Sequence, residues 1–108
     1  MDVKSFEKEG VSVFQVSGEI NISTSPELKK QFEKQLPKKV VVDLEKVNYI
    51  DSSGLATLVE ILKKTKSQGG SLGLSGLSEK VKSLFEITKL DKLFVILHTQ
   101  DEAVARVK

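Results

Sequence analysis

The residues of this chain best placed to do chemistry stand together at Asp51-Ser52-Ser53-Gly54. Two hydroxyls and a carboxylate follow the β-branched run Val40-Val41-Val42-Asp43-Leu44 and a short polar link. They precede Leu55, Leu58, Val59 and Leu62, which share one face at helical spacing. A strand therefore hands over to a helix N-terminus at these side chains. The first turn of a helix has unpaired N–H groups and a partial positive charge, and it tolerates an added anion. That chemistry points to Ser52 as the carrier of a switchable phosphate. The same residues also fit a plain helix cap, with Ser52 or Asp51 accepting a backbone N–H and Gly54 easing tight packing.

Other chemistries find less support. His98 is the only histidine, and it follows the last expected strand. A serine hydrolase would set it beside a nucleophile and an oxyanion hole, and no G-x-S-x-G elbow is present. There is no P-loop, no G-x-G-x-x-G, no cysteine and no second histidine for a metal site. The chain reads as a non-enzyme with no catalytic residue, no metal ligand and no cofactor. Asp43, at the end of the Val-rich strand, loosely resembles the phospho-acceptor of response-regulator receivers. Those receivers also need an acidic pair after their first strand, whereas Gly18-Glu19-Ile20-Asn21 offers a single acid.

The elements that must position Ser52 follow from the pattern around it. Val3–Glu7 and Val11–Ser17 read as strands turning at Glu9-Gly10, with Gly18 ending the second. Thr24 and Glu27 fit a capping box, while Ser25 as cap would place Pro26 at the first helical position. Leu28, Phe32 and Leu36 mark the buried stripe of that helix, and Pro37 ends it. Val40–Leu44 is a continuous apolar strand of the kind buried on both faces. Ser53–Ser67 is the next helix, stopped at Gln68-Gly69-Gly70; Thr57, Glu60, Lys63 and Lys64 point away from its apolar face. Ser71–Ser75 is a short strand. Ser78 caps a helix over Val81, Leu84 and Phe85. Phe94–Leu97 is a last strand, and Thr99 with Glu102 caps a final short helix over Ala103, Val104 and Val107. The alternation demands parallel crossovers, and the opening hairpin makes the sheet mixed. The expected fold is α/β: a mixed, mostly parallel sheet of about five strands with about four helices.

The 108 residues suit one domain with one core. Seventeen basic and fifteen acidic residues leave a net charge of +2, with the signs interleaved. Lys63, Lys64 and Lys66 lie on one helix and read as a solvated face. Without an arginine cluster or an aromatic platform, direct nucleic-acid binding is not expected. No apolar run is long enough for a membrane span, and Met1–Glu7 lacks the core of a signal peptide. The expected location is the cytoplasm.

Asp51-Ser52-Ser53-Gly54-Leu55, preceded by Val41-Val42-Asp43-Leu44, resembles the signature of the STAS domain, and more narrowly the free-standing bacterial anti-sigma factor antagonists. Gly18-Glu19-Ile20, Gln68-Gly69-Gly70 and Ser78 through Val81-Lys82-Ser83-Leu84-Phe85 agree, and together they cover about residues 11–97. The resemblance implies a single STAS domain over 1–108. It implies that the partner, an anti-sigma factor that is also a serine kinase, phosphorylates Ser52. The unphosphorylated form would bind that partner and free the sigma factor; a PP2C-type phosphatase would reset the switch. The partner surface is expected at Glu19, Asn21, Ser23, Asp51, Ser52, Ser53, Gly54 and an exposed Thr57, on a protein that is a monomer when free. One departure stands out: the family has Asp where this chain has Asn21, so the site carries one negative charge fewer. A STAS subunit of a larger assembly, such as a lipid-transport or stress-sensing complex, would dock through the same surface without phosphate turnover.

Overall fold

Val40, Val41 and Val42 are buried in the central strand of a five-stranded sheet. The computed structural model describes residues 1–108. The order is β1 (Asp2–Lys8), β2 (Val11–Ile20), α1 (Ser25–Gln35), β3 (Lys39–Ile50), α2 (Ser52–Ser67), β4 (Ser71–Ser75), α3 (Glu79–Ile87), β5 (Val95–Leu97) and α4 (Gln100–Val107), with one 3-10 turn at Leu90–Lys92. The strands lie side by side as β1-β2-β3-β4-β5. Only β1 and β2 pair antiparallel; every other pair is parallel.

The two faces of the sheet are covered unequally. On one face, Phe14, Val16, Val42, Leu44 and Leu74 join Leu28 and Phe32 of α1, Leu58 and Ile61 of α2, and Val81 and Phe85 of α3 in a cluster of 19 buried residues. On the other face, Val11, Val13 and Val41 meet Ala103, Val104 and Val107 of α4 in a separate cluster of 6. The capping box expected at Thr99 and Glu102 is formed, and it starts α4 over that second face. Two ion pairs tie α1 to α2: Lys29–Glu60 at 2.9 Å and Lys64–Glu33 at 3.7 Å. The lysines of the expected basic face, Lys63, Lys64 and Lys66, are exposed.

Four local expectations are corrected. Gly18 does not end β2. With φ +96° it sits where the ladder to β3 shifts register, and the strand runs on to Ile20. The polar link after Leu44 is part of β3. Lys46, Val47 and Tyr49 pair with Ser17, Gly18 and Glu19, so β2 recruits a charged segment that would not form a strand alone. The capping box at Thr24 is absent. Its Oγ1 accepts from Asn21 N at 2.8 Å and donates to Glu19 O at 2.8 Å, so it braces the preceding loop. Leu36 is not buried. It is the left-handed C-cap that closes α1, its N–H donating to Phe32 O, and this turn carries it off the helix stripe to 42% exposure.

Candidate functional site

β2 and β3 end together, with Ile20 paired to Ile50. The loop that enters α1 and the residue that enters α2 therefore leave the sheet side by side. Asp51 joins them. Its backbone N–H donates to Ile20 O at 3.1 Å. Its side chain is the N-cap of α2, with Oδ1 accepting from Gly54 N at 2.9 Å. Its second oxygen, Oδ2, accepts from Ile22 N at 3.1 Å. One carboxylate thus fixes both the helix start and the neighbouring loop.

Gly54 makes the close approach possible. A Cβ at this position would lie 2.5 Å from Ile20 O and 2.8 Å from a methyl of Ile50. Only glycine lets the first turn of α2 sit on the end of β2. Ser52 then occupies the first helical position and is exposed, while Ser53 follows it half-buried. Since Asp51 supplies the cap, Ser52 is left facing solvent at the electropositive end of a 16-residue helix.

Asn21 organises the loop. Its Oδ1 accepts from Ser23 N at 2.9 Å and from Thr24 N at 3.1 Å, and its Nδ2 donates to Glu19 Oε1 at 3.3 Å. An aspartate would keep the two acceptor bonds. It would also set a second carboxylate oxygen against Glu19, where Asn21 now donates. The asparagine therefore removes a like-charge contact and leaves the loop conformation intact.

Of the residues expected on the partner surface, Glu19, Ser23 and Ser52 are exposed, and Asn21, Asp51 and Ser53 are half-buried beside them. Two are corrected. Thr57 is only 7% exposed. It stands between Gly54 and Ile61 on the buried face of α2, which is broad because this helix packs on both the sheet and α1. Ala56 takes its place on the exposed flank, one turn along from Ser52. Gly54 is buried and positions Ser52 without being available to touch a partner.

Two features escaped the sequence. Ile22 is 72% exposed on the braced loop next to Asp51. The only signal for it is an aliphatic side chain stranded in the polar turn Asn21–Ser25. Tyr49 lies beside Glu19 in the ladder, is 42% exposed, and has Lys80 Nζ 6.0 Å from its ring centroid.

The competing chemistries have different surroundings. Asp43 is only 3% exposed, with Oδ1 accepting from Glu45 N at 3.0 Å and Oδ2 from Gln100 Nε2 at 2.8 Å. It is a buried tie between the sheet and α4, out of reach of a phosphoryl donor. His98 is exposed and lines a groove with Leu97 and Arg106. No three His, Asp or Glu side chains converge in a way that would hold a metal ion. No helix is long and apolar enough to cross a membrane.

Comparison with known proteins adds to this geometry. The sequence model of the STAS domain matches residues 3–103. An anti-sigma-B factor antagonist of Listeria monocytogenes is 33% identical over 105 residues, covering 94% of this chain and 91% of that protein. An anti-sigma-B factor antagonist of Bacillus subtilis is 38% identical over 86 residues, covering 75% and 76% of the two chains. The crystal structure of an anti-sigma factor antagonist from Mycobacterium paratuberculosis superposes with a TM-score of 0.89 at 30% identity, covering 98% of this chain and 92% of that one.

Proposed function

The chain belongs to the STAS domain family, and we propose that it works as an anti-sigma factor antagonist gated at Ser52. The unphosphorylated protein binds an anti-sigma factor and so frees a sigma factor. The partner is itself a serine kinase that phosphorylates Ser52, and a PP2C-type phosphatase restores the hydroxyl. The observation that carries this reading is the exposed serine on a rigid platform: Asp51 caps the helix, Gly54 seats it, and Ser52 faces solvent.

The gate follows from charge. A phosphate adds roughly −1.5 to −2 charges at neutral pH. The helix end holds part of that charge, while Asp51 and Glu19 oppose it. The platform is already hydrogen-bonded, so little moves inside the protein. The effect falls on the docked partner, where an unpaired charge would be desolvated. A loss of about 3 kcal/mol weakens binding roughly a hundredfold, which is enough for a switch. The docking surface comprises Glu19, Ile22, Ser23, Ser52, Ser53 and Ala56.

The test uses the cognate anti-sigma factor. Ser52→Asp is expected to weaken its binding about a hundredfold, and Ser52→Ala to leave binding intact while blocking phosphorylation. Incubation with ATP and the partner is expected to add one phosphoryl group by intact mass to wild type and none to Ser52→Ala. Wild-type affinity in Ser52→Asp would overturn the charge gate. Tight binding with no phosphoryl transfer would instead identify a docking subunit of a larger assembly.

A further inference from the structure

β1 is an edge of the sheet, and its far side is unpaired. Edge strands are usually short, bulged or interrupted by proline, which keeps them from pairing with other chains. β1 lacks these three guards, although its Lys4 and Lys8 are charges of the kind that also blunt an edge. It pairs with β2 without a register break from Asp2↔Ser17 to Lys8↔Val11, over seven residues that include no proline. Phe6 is 42% exposed on it. Gln35 reaches Ser5 Oγ from one face at 2.9 Å, and Lys8 pairs with Asp101 on the other. No strand pairs with the outer edge itself.

Its charges alternate in sign: Asp2, Lys4, Glu7, Lys8. A twofold axis perpendicular to a sheet carries each face onto itself. Two copies of a strand can then pair antiparallel only if the axis passes through a residue, because opposed side chains must share a face. An axis at Lys4 opposes lysine to lysine. An axis at Phe6 opposes Lys4 to Lys8. An axis at Val3 faces no like charges but pairs only Met1–Ser5, whereas an axis at Ser5 pairs the whole strand: Val3 faces Glu7, Asp2 opposes Lys8 twice and Lys4 opposes Phe6 twice, with no like charges facing. Cross-strand pairs of opposite charge are stabilising, and Lys over an aromatic ring adds to them.

We propose that β1 pairs with β1 of a second copy of this chain about a twofold axis at Ser5, joining the two sheets into one. One strand on one strand falls below the roughly 1,200–2,000 Å² that stable complexes bury, so the dimer is weak and concentration-dependent. This pairing implies a monomer–dimer equilibrium, where a free monomer is expected from the sequence. The contact does not involve Ser52 or its loop.

The absence of cysteine makes the axis testable, because a single introduced thiol reports on its own symmetry mate. Ser5→Cys would place two Cα atoms about 4.5–5.5 Å apart, inside the disulfide range of about 4.4–6.8 Å. Glu7→Cys would be offset from its mate by four residues, about 13 Å along the strands, too far to bridge. Under mild oxidation at a concentration where wild type sediments as a mixture, Ser5→Cys is expected to cross-link at least tenfold faster than Glu7→Cys. Adding Asp2→Lys to Ser5→Cys sets like charges opposite Lys8 and is expected to slow it. Asp2→Lys in the cysteine-free protein is expected to shift sedimentation toward monomer, which checks the contact without any thiol. Equal cross-linking of the two cysteine variants would overturn the proposal. So would concentration-dependent mass without Ser5→Cys bridging, which would move the contact to another surface such as the β5 edge.

Discussion

Asp51 does with one carboxylate what two residues commonly share: Oδ1 caps α2 and Oδ2 anchors the loop through Ile22 N. Asp51→Ala removes both acceptors, and a lost N-cap alone costs about 1 kcal/mol. The variant is expected to be about 1–2 kcal/mol less stable in urea unfolding, and its Ile22 amide is expected to exchange faster with solvent. Ile22→Ala is expected to leave unfolding unchanged, because the side chain is 72% exposed. In a titration with the anti-sigma factor it is expected to lower affinity roughly tenfold, as loss of an exposed apolar anchor does. The order strand, Asp-Ser-Ser-Gly, helix was enough to place Ser52 at a helix start, where the structure has it exposed; its choice over a plain cap rested on the resemblance to the STAS signature. Ile22 was not legible, because a residue's type does not say whether a loop presents it or tucks it away. Thr57 was misplaced for a related reason: apolar spacing marks the centre of a helix's buried face, and a second packed neighbour widens that face beyond the apolar residues.

Among the elements, those with local signals were the most readable. The Thr99–Glu102 box, the Ser78 cap and the turn at Gly69 are written within a few residues and are present, whereas the equally local Thr24–Glu27 box is not, because Thr24 turns to the preceding loop. β3 was cut short in the sequence because Glu45, Lys46 and Asn48 look like a loop. Its extension depends on β2, some thirty residues upstream in the chain and invisible to local pattern. The role of Gln100 was hidden likewise. It begins α4 and donates to the buried Asp43 carboxylate from 57 residues away in sequence. Gln100→Leu would leave that oxygen buried without its partner. The expected loss is about 1–3 kcal/mol in thermal or urea unfolding, with Ser52 phosphorylation unaffected.

At the scale of the whole molecule, the fold class and the mixed, mostly parallel sheet were accessible because alternating strands and helices permit few connections, whereas the side-by-side order of the strands came only with the structure. The unequal layering was hidden too: nothing in α4 alone says that it crosses to the opposite face from α1, α2 and α3. That crossing has a practical result. α4 starts beside the carboxyl ends of the strands and runs back, so that Lys108 O accepts from Lys39 Nζ at 2.9 Å, where β3 begins. Val107 O accepts from Ser71 Oγ at 3.2 Å, where β4 begins. Ser52 follows the opposite end of β3. A fluorophore attached through Lys108 therefore rides on the far pole of the protein. Fluorescence anisotropy of such a labelled protein is expected to report the same anti-sigma factor affinity as unlabelled competitor, giving a readout of the gate that leaves the gate untouched.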